Sequence, residues 1–225
     1  MTGNIVCFSS WGPGNFATVL AFCDKNPEWR VRQLVSDRPG TPSTRLAAGR
    51  SILVAVHDIP GIFDPNDPGS RARREAALLP VVQTLDRFET CEGPIDLIVL
   101  AFRKVLSGEI LTRYGERMIN VHPADLSVFD PMSRKPRYVG IGGLARSIRD
   151  GNLTTRTSVH RVTSGVDEGP LICLGPEVVF DGDPANPDDI TRHENKQKGD
   201  SDRPCLTRAL ELCCGKRSQT LPVIL

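Results

Sequence analysis

Ile95-Asp-Leu-Ile-Val-Leu-Ala101 is an apolar run broken only by Asp96. A run this short and this continuous reads as a strand buried on both faces, which is what a parallel sheet covered by helices requires. On its N-terminal side, Ala76, Leu79, Val82 and Leu85 recur at helical spacing and predict a helix over Ser70–Phe88. Further upstream, Ile5–Phe8, Val31–Ser36 and Ile52–Val56 read as strands, and Asn15–Lys25 reads as a helix after a glycine-bearing turn. Asp37-Arg-Pro-Gly-Thr-Pro42 punctuates this half with helix and strand breakers.

Downstream, Gly108–Tyr114 predicts a short helix, and Met118–Val121 a strand that runs straight into His122-Pro123. Asp130–Arg137 is polar and belongs on the surface, and Ile141–Asp150 can form a helix. Thr157–Val162 and Leu171–Phe180 read as two more strands, with the turn Ser164–Pro170 between them. Asp181–Pro187 reads as a loop and Leu206–Cys214 as a last helix. The alternation predicts an α/β fold with a mostly parallel sheet and helices on both faces. With no internal repeat and no linker, residues 1–225 are expected to form a single domain.

Twenty-eight basic residues against twenty-seven acidic ones leave a formal charge of +1, which calls for neither nucleic acid nor an anionic membrane as partner. Aromatic residues make up only 5%, which argues against a base-stacking surface. The seven cysteines are odd in number, widely spaced and without Cys-x-x-Cys pairing, so they read as small apolar residues of a reducing compartment rather than disulfides or zinc ligands. No stretch has the composition of a secretion signal, and none approaches the roughly 18–20 apolar residues of a membrane span. The expectation is a cytoplasmic protein without a metal site.

Two motifs carry chemistry. Asn120-Val-His122-Pro123 closes a predicted strand, the place where reactive groups gather in open α/β sheets. The Asn120 amide can donate to a carbonyl oxygen that gains charge, and His122 can donate to the same oxygen or move a proton. By itself the motif leaves a structural and a catalytic histidine both open. In Ser164-Gly-Val-Asp167-Glu-Gly-Pro170, turn residues would hold Asp167 on a rigid loop. There it either bonds its own backbone or presents a carboxylate that orients His122.

Together these motifs, with Thr157-Ser-Val-His160 between them, resemble the folate-dependent formyltransferase family, nearest its glycinamide ribonucleotide branch. The resemblance runs from Asn4-Ile-Val6 to about Leu212, with further echoes in Ile98-Val-Leu-Ala101, Val105-Leu-Ser107, Tyr138-Val-Gly140 and Asp188-Asp-Ile-Thr191. It implies a Rossmann-like fold and transfer of a formyl group from 10-formyltetrahydrofolate to the amine of a small-molecule acceptor. Asn120 and His122 would stabilise the oxyanion of the tetrahedral intermediate, while Asp167 would hold His122 and help remove the amine proton. The backbone of Arg103, Lys104, Val105 and Leu106 would meet the pterin. Gly12, Gly14, Asn15 and Arg74 match acceptor-facing positions.

The acceptor half departs from the family. Ser9-Ser-Trp11-Gly12-Pro13-Gly14-Asn15 could form an anion site at a helix N-terminus, or an ordinary turn with Asn15 near the N-cap. Trp11 and Pro13 intrude where the family carries small residues, and Pro13 lacks an amide donor. Ile141-Gly-Gly-Leu144 lacks the family's histidine, and His193–Lys198 does not reproduce its Gln-x-x-Glu-His pattern. Glycinamide ribonucleotide and a specialised-metabolite amine such as hydroxyornithine are therefore both expected acceptors. A formyltetrahydrofolate hydrolase and a non-catalytic folate-binding protein are the alternatives. His160 is expected in a structural or site-lining role, His57 and His193 on the surface, and Arg71, Arg73 and Arg74 on a solvated helix face.

Overall fold

The computed structural model of the chain describes residues 2–59 and 67–215. Strands β1 (Gly3–Ser9), β2 (Trp29–Ser36), β3 (Leu53–Val56), β4 (Leu97–Ala101), β5 (Met118–His122), β7 (Ser158–Arg161) and β8 (Leu171–Leu174) form a seven-stranded sheet in the order β3-β2-β1-β4-β5-β7-β8. The pairings β2–β3, β1–β2 and β1–β4 are parallel, and β7–β8 is antiparallel. A separate two-stranded ribbon joins β6 (Thr154–Thr155) to β9 (Val178–Val179). This is the mostly parallel α/β sheet that the sequence predicts.

The chain divides into two compact units: Met1–Ile119 with Val162–Gly165, and Asn120–Arg161 with Val166–Leu225. In the first, β1 and β4 are in register from Ile5↔Leu97 to Ser9↔Ala101, so both strands end level. The chain leaves β1 for β2 on one side and pairs with β4 on the other. In open α/β sheets ligands bind beyond the strand ends at such a reversal, here beside the turns after Ser9 and after Ala101. Helices α1 (Gly14–Lys25), α2 (Pro42–Gly49), α3 (Pro68–Glu92) and α4 (Glu109–Tyr114) belong to this unit.

Helix α3 buries Leu78, Val81, Val82, Leu85 and Phe88 against Val6, Phe8, Ile98 and Leu100 of the sheet. The spacing predicted this helix but not its facing. Ala76 and Leu79 point outward, because the stripe Leu78–Val81–Val82–Leu85 is the one that keeps the 3.6-residue period across the whole contact. Arg74 joins that inner face and is buried, which corrects its expected place on a solvated surface. Arg71 and Arg73 do lie on that surface, paired with Glu75 and Asp67.

Two helices went unread in the sequence. At α2, Thr41 accepts a hydrogen bond from the Thr44 amide, with Pro42 in the first turn. At α6 (Pro187–Gln197), Asn186 does the same for Asp188, ahead of Pro187. In both, the proline, read as a breaker at Pro42 and as the end of a loop at Pro187, is a helix initiator whose missing amide would have had no partner in the first turn.

In the second unit, α5 (Gly143–Arg149), α6 and α7 (Arg203–Cys214) accompany β7 and β8, with one π-helical turn at Lys198–Asp202 leading into α7. The expected long strand Leu171–Phe180 is interrupted at Gly175. A side-chain carbon there would lie 2.4 Å from Ser201 Oγ and 2.7 Å from Ser201 O. His193, expected on the surface, is buried beside Phe180, with Nε2 2.7 Å from Thr155 Oγ1. The loop Asp130–Arg137 is largely exposed, as expected.

The facing of α3 is testable by urea denaturation. Leu85→Ala empties a fully buried position and should cost about 2–5 kcal/mol. Leu79→Ala, on the exposed face, should stay within about 1 kcal/mol of wild type.

Candidate active site

Strand periodicity places Asn120 and His122 on the same side of β5. His122 is buried, and its Nε2 lies 2.7 Å from the carbonyl oxygen of Tyr138. A carbonyl only accepts, so Nε2 carries the proton and the neutral ring presents a bare Nδ1. Nδ1 faces Asp167 Oδ2 at 3.2 Å, a contact that becomes attractive when the ring takes a second proton.

Asp167 sits on the turn between β7 and β8 with φ +54°, a left-handed conformation uncommon outside glycine. Backbone strain of this kind is held only where the surroundings over-determine it, and here they do. Oδ2 accepts from the Gly140 amide at 2.7 Å, and Oδ1 accepts from Asn120 Nδ2 at 3.2 Å. His160 Nε2 lies 3.3 Å from Oδ1.

His160 comes from β7. Its Nδ1 lies 2.7 Å from the Arg161 carbonyl, which makes that nitrogen the donor and leaves Nε2 to accept from Asn120 Nδ2 at 3.2 Å. The Asn120 amide is thereby oriented: its two hydrogens point at an imidazole lone pair and a carboxylate. His160 is thus a member of the site, the site-lining alternative of its sequence reading. Its signal lay in the strand pattern Thr157–His160.

The electrostatics follow from this packing. Burial lowers the His122 pKa, opposed by the Asp167 carboxylate and the Tyr138 carbonyl, while His160 and Arg146 lower it further. Burial alone would raise the Asp167 carboxyl. The His160 contact, the charge that His122 takes on in acid and the Gly140 amide outweigh it and hold the pKa at about 2. Asp167 is therefore ionised at neutral pH, and a proton on His122 is tied to that charge.

The site belongs wholly to the second unit. The donor-facing and acceptor-facing residues of the sequence reading lie in the first. The Arg103 amide donates to Ser10 Oγ at 3.4 Å. Lys104 Nζ donates to the Ile59 carbonyl at 2.7 Å and lies 3.4 Å from Asp37 Oδ2. The Leu106 side chain is in the core, so only its backbone is available to a ligand. In the turn after β1, the Gly12 carbonyl accepts from Ser43 Oγ at 3.0 Å, and Pro13 is the N-cap of α1, with no side-chain cap. Gly14 and Asn15 are thus inside the first helical turn, and the cap expected near Asn15 lies two residues earlier, at Pro13. Trp11 is 62% exposed beneath the Arg38 guanidinium, 4.4 Å from the ring centre.

Among the described residues, no group of three or more His, Cys, Asp or Glu side chains is arranged to hold a metal ion. No helix among them is long and apolar enough to cross a membrane.

A carboxylate, an imidazole and a carboxamide converging beyond a strand end suit attack of an amine on an activated carbonyl. Compared with known families, residues 3–186 match the formyl transferase family. The chain belongs to that family. Its members are folate-dependent enzymes whose formyl donor is 10-formyltetrahydrofolate. This formyltransferase is 29% identical over 198 residues to phosphoribosylglycinamide formyltransferase of Escherichia coli, covering 87% of this chain and 81% of that one. A second relative of the same name, from Bacillus subtilis, is 28% identical over 73% of this chain and 74% of its own.

Among solved structures, phosphoribosylglycinamide formyltransferase from Bacillus halodurans shares the fold with a TM-score of 0.69. It is 22% identical and covers 92% of this chain and 95% of that one. A formyltetrahydrofolate deformylase from Pseudomonas syringae shares it with a TM-score of 0.70 at 18% identity, covering 99% of this chain and 65% of that one.

The depressed pKa makes Asp167 a stabilising group. Its folded value lies below the unfolded one, so its contribution, about 2 kcal/mol, is fully present above pH ~4 and is lost as the pH falls towards the folded value. Carboxyl carbon NMR should give an Asp167 midpoint near 2; a midpoint near the ordinary value would show that the imidazoles and the Gly140 amide do not engage it.

Proposed function

We propose that this formyltransferase moves the formyl group of 10-formyltetrahydrofolate onto the amine of a small cytoplasmic metabolite through Asn120, His122 and Asp167. The observation that carries this reading is the convergence of two side chains on the Asp167 carboxylate, Asn120 and His122, each at 3.2 Å. The amine attacks the formyl carbon, and the carbonyl oxygen becomes an oxyanion. One Asn120 N–H turns from its long bond in the resting site to that oxygen. The His122 ring, neutral at rest with Nε2 held by the Tyr138 carbonyl, supplies positive charge beside it once its bare Nδ1 takes up the proton that the amine releases by way of Asp167. Asp167, ionised and adjacent, receives the proton that the amine must lose. Such contacts are often long before substrate arrives and tighten in the reacting complex.

We assign the donor's pterin to the backbone of Arg103, Lys104, Val105 and Leu106, and the acceptor to Gly12, Gly14, Asn15 and Arg74. Glycinamide ribonucleotide is the first acceptor to try, because the relatives named above are phosphoribosylglycinamide formyltransferases. A second reading, a specialised-metabolite amine such as hydroxyornithine, is favoured by the turn after β1. Pro13 brings no amide to the start of α1, and the exposed Trp11 stacked under Arg38 replaces a small-residue phosphate loop. Hydrolysis of the donor is the remaining alternative, since the same three side chains could serve water.

Mass spectrometry after mixing the protein with 10-formyltetrahydrofolate and each candidate acceptor tests the proposal. A product heavier by one carbonyl group names the acceptor class. Formate released at the same rate without any amine would replace transfer by hydrolysis. Asn120→Ala should lower kcat by about 100–1000-fold, the usual cost of one oxyanion donor, with donor binding within a few-fold of wild type. Asp167→Asn, whose side chain tolerates the left-handed backbone, should do likewise; turnover near wild type in either variant would sink the mechanism.

A further inference from the structure

The Tyr138 carbonyl that accepts from His122 is wedged between that ring and the start of α5. A carbon built on Gly143 as a side chain would lie 2.1 Å from Tyr138 O and 3.0 Å from His122 Nε2. The first distance is far inside van der Waals contact, and the oxygen it meets is backbone rather than the end of a flexible side chain. That backbone has little freedom to retreat. The Tyr138 ring is buried, and its hydroxyl accepts from Asn152 Nδ2 at 2.7 Å. The next carbonyls, of Val139 and Ile141, both accept from the Arg146 guanidinium. Two residues along, the Gly140 amide is committed to Asp167. The segment from Tyr138 to Gly143 thus orients both His122 and Asp167 through main-chain atoms.

We infer that Gly143 is a positioning residue of the active site: only without a side chain there can the Tyr138 carbonyl reach His122 Nε2, hold its proton, and turn Nδ1 towards Asp167. This rests on the proposed role of His122. Any larger residue at 143 pushes the carbonyl or the ring aside, and His122 loses the partner that sets its tautomer.

The test is imidazole nitrogen NMR on the full chain, with steady-state kinetics, for wild type, Gly143→Ala and the control Gly49→Ala, where an added carbon meets nothing within 4 Å. Four histidines keep the spectrum assignable with a His122→Asn variant. In wild type, His122 should show a protonated, slowly exchanging Nε2. In Gly143→Ala that signal should be lost, and the His122 pKa should fall further, because one of the two influences raising it is gone. Its kcat should drop by about 100-fold, the cost of misplacing a reacting group by about an ångström, while the donor's KM stays within a few-fold. Gly49→Ala should match wild type throughout.

A wild-type His122 with bare Nε2 overturns the inference, as does a Gly143→Ala protein whose His122 signals and kcat are unchanged. If Gly143→Ala does not fold, the wild-type spectrum decides. If wild type formylates no amine, the proposed function fails, while the ring-nitrogen spectra still decide the role of Gly143.

Discussion

The Asp167 carboxylate is the point on which the geometry of the candidate site depends. One oxygen takes the Gly140 amide and faces His122; the other takes the Asn120 amide and faces His160. A buried carboxylate without such partners would cost several kcal/mol and would take up a proton instead. With them it stays charged, and the left-handed backbone at Asp167 is sustained. Each neighbour gains its orientation from the same centre, so the group is better regarded as one unit than as three residues with separate roles.

The surrounding fold supplies rigidity from two directions. Strand β5 carries Asn120 and His122 at alternate positions, so their spacing is set by strand geometry rather than by loop conformation. Behind its end, a buried polar chain continues: Gln197 Nε2 donates to the Pro123 carbonyl at 3.0 Å and to Thr157 Oγ1 at 3.2 Å, and Thr157 Oγ1 donates to Asp202. Burial raises the Asp202 carboxyl, against the Thr157 hydroxyl, which lowers it. The residue following His122 is therefore tied to α6 and to the π-helical turn after it, in a network whose members satisfy one another.

Much of this was legible beforehand. The strands Ile5–Phe8, Val31–Ser36 and Met118–Val121 were plain because apolar runs of that length have few other uses, and Asn120, His122 and Asp167 stood out because polar groups after such strands need a reason. The prolines of Thr41-Pro42 and Asn186-Pro187 misled, since the same residue breaks a helix in its interior and starts one at its first turn. Leu79 and Arg74 misled for a different reason: several stripes on α3 fit helical spacing, and only contact with the sheet selects one.

The sequence by itself determined the α/β class and the chemical types available to the site, because periodicity and residue chemistry are local properties; its motifs added a resemblance to the family. Only the tertiary structure decided that His160 lies with Asn120 and Asp167, that a Tyr138 carbonyl sets the His122 tautomer, and that Gly143 must lack a side chain. Those facts depend on main-chain groups, which every residue carries alike. Their roles are assigned by distance in space, and a string of side-chain identities does not record it.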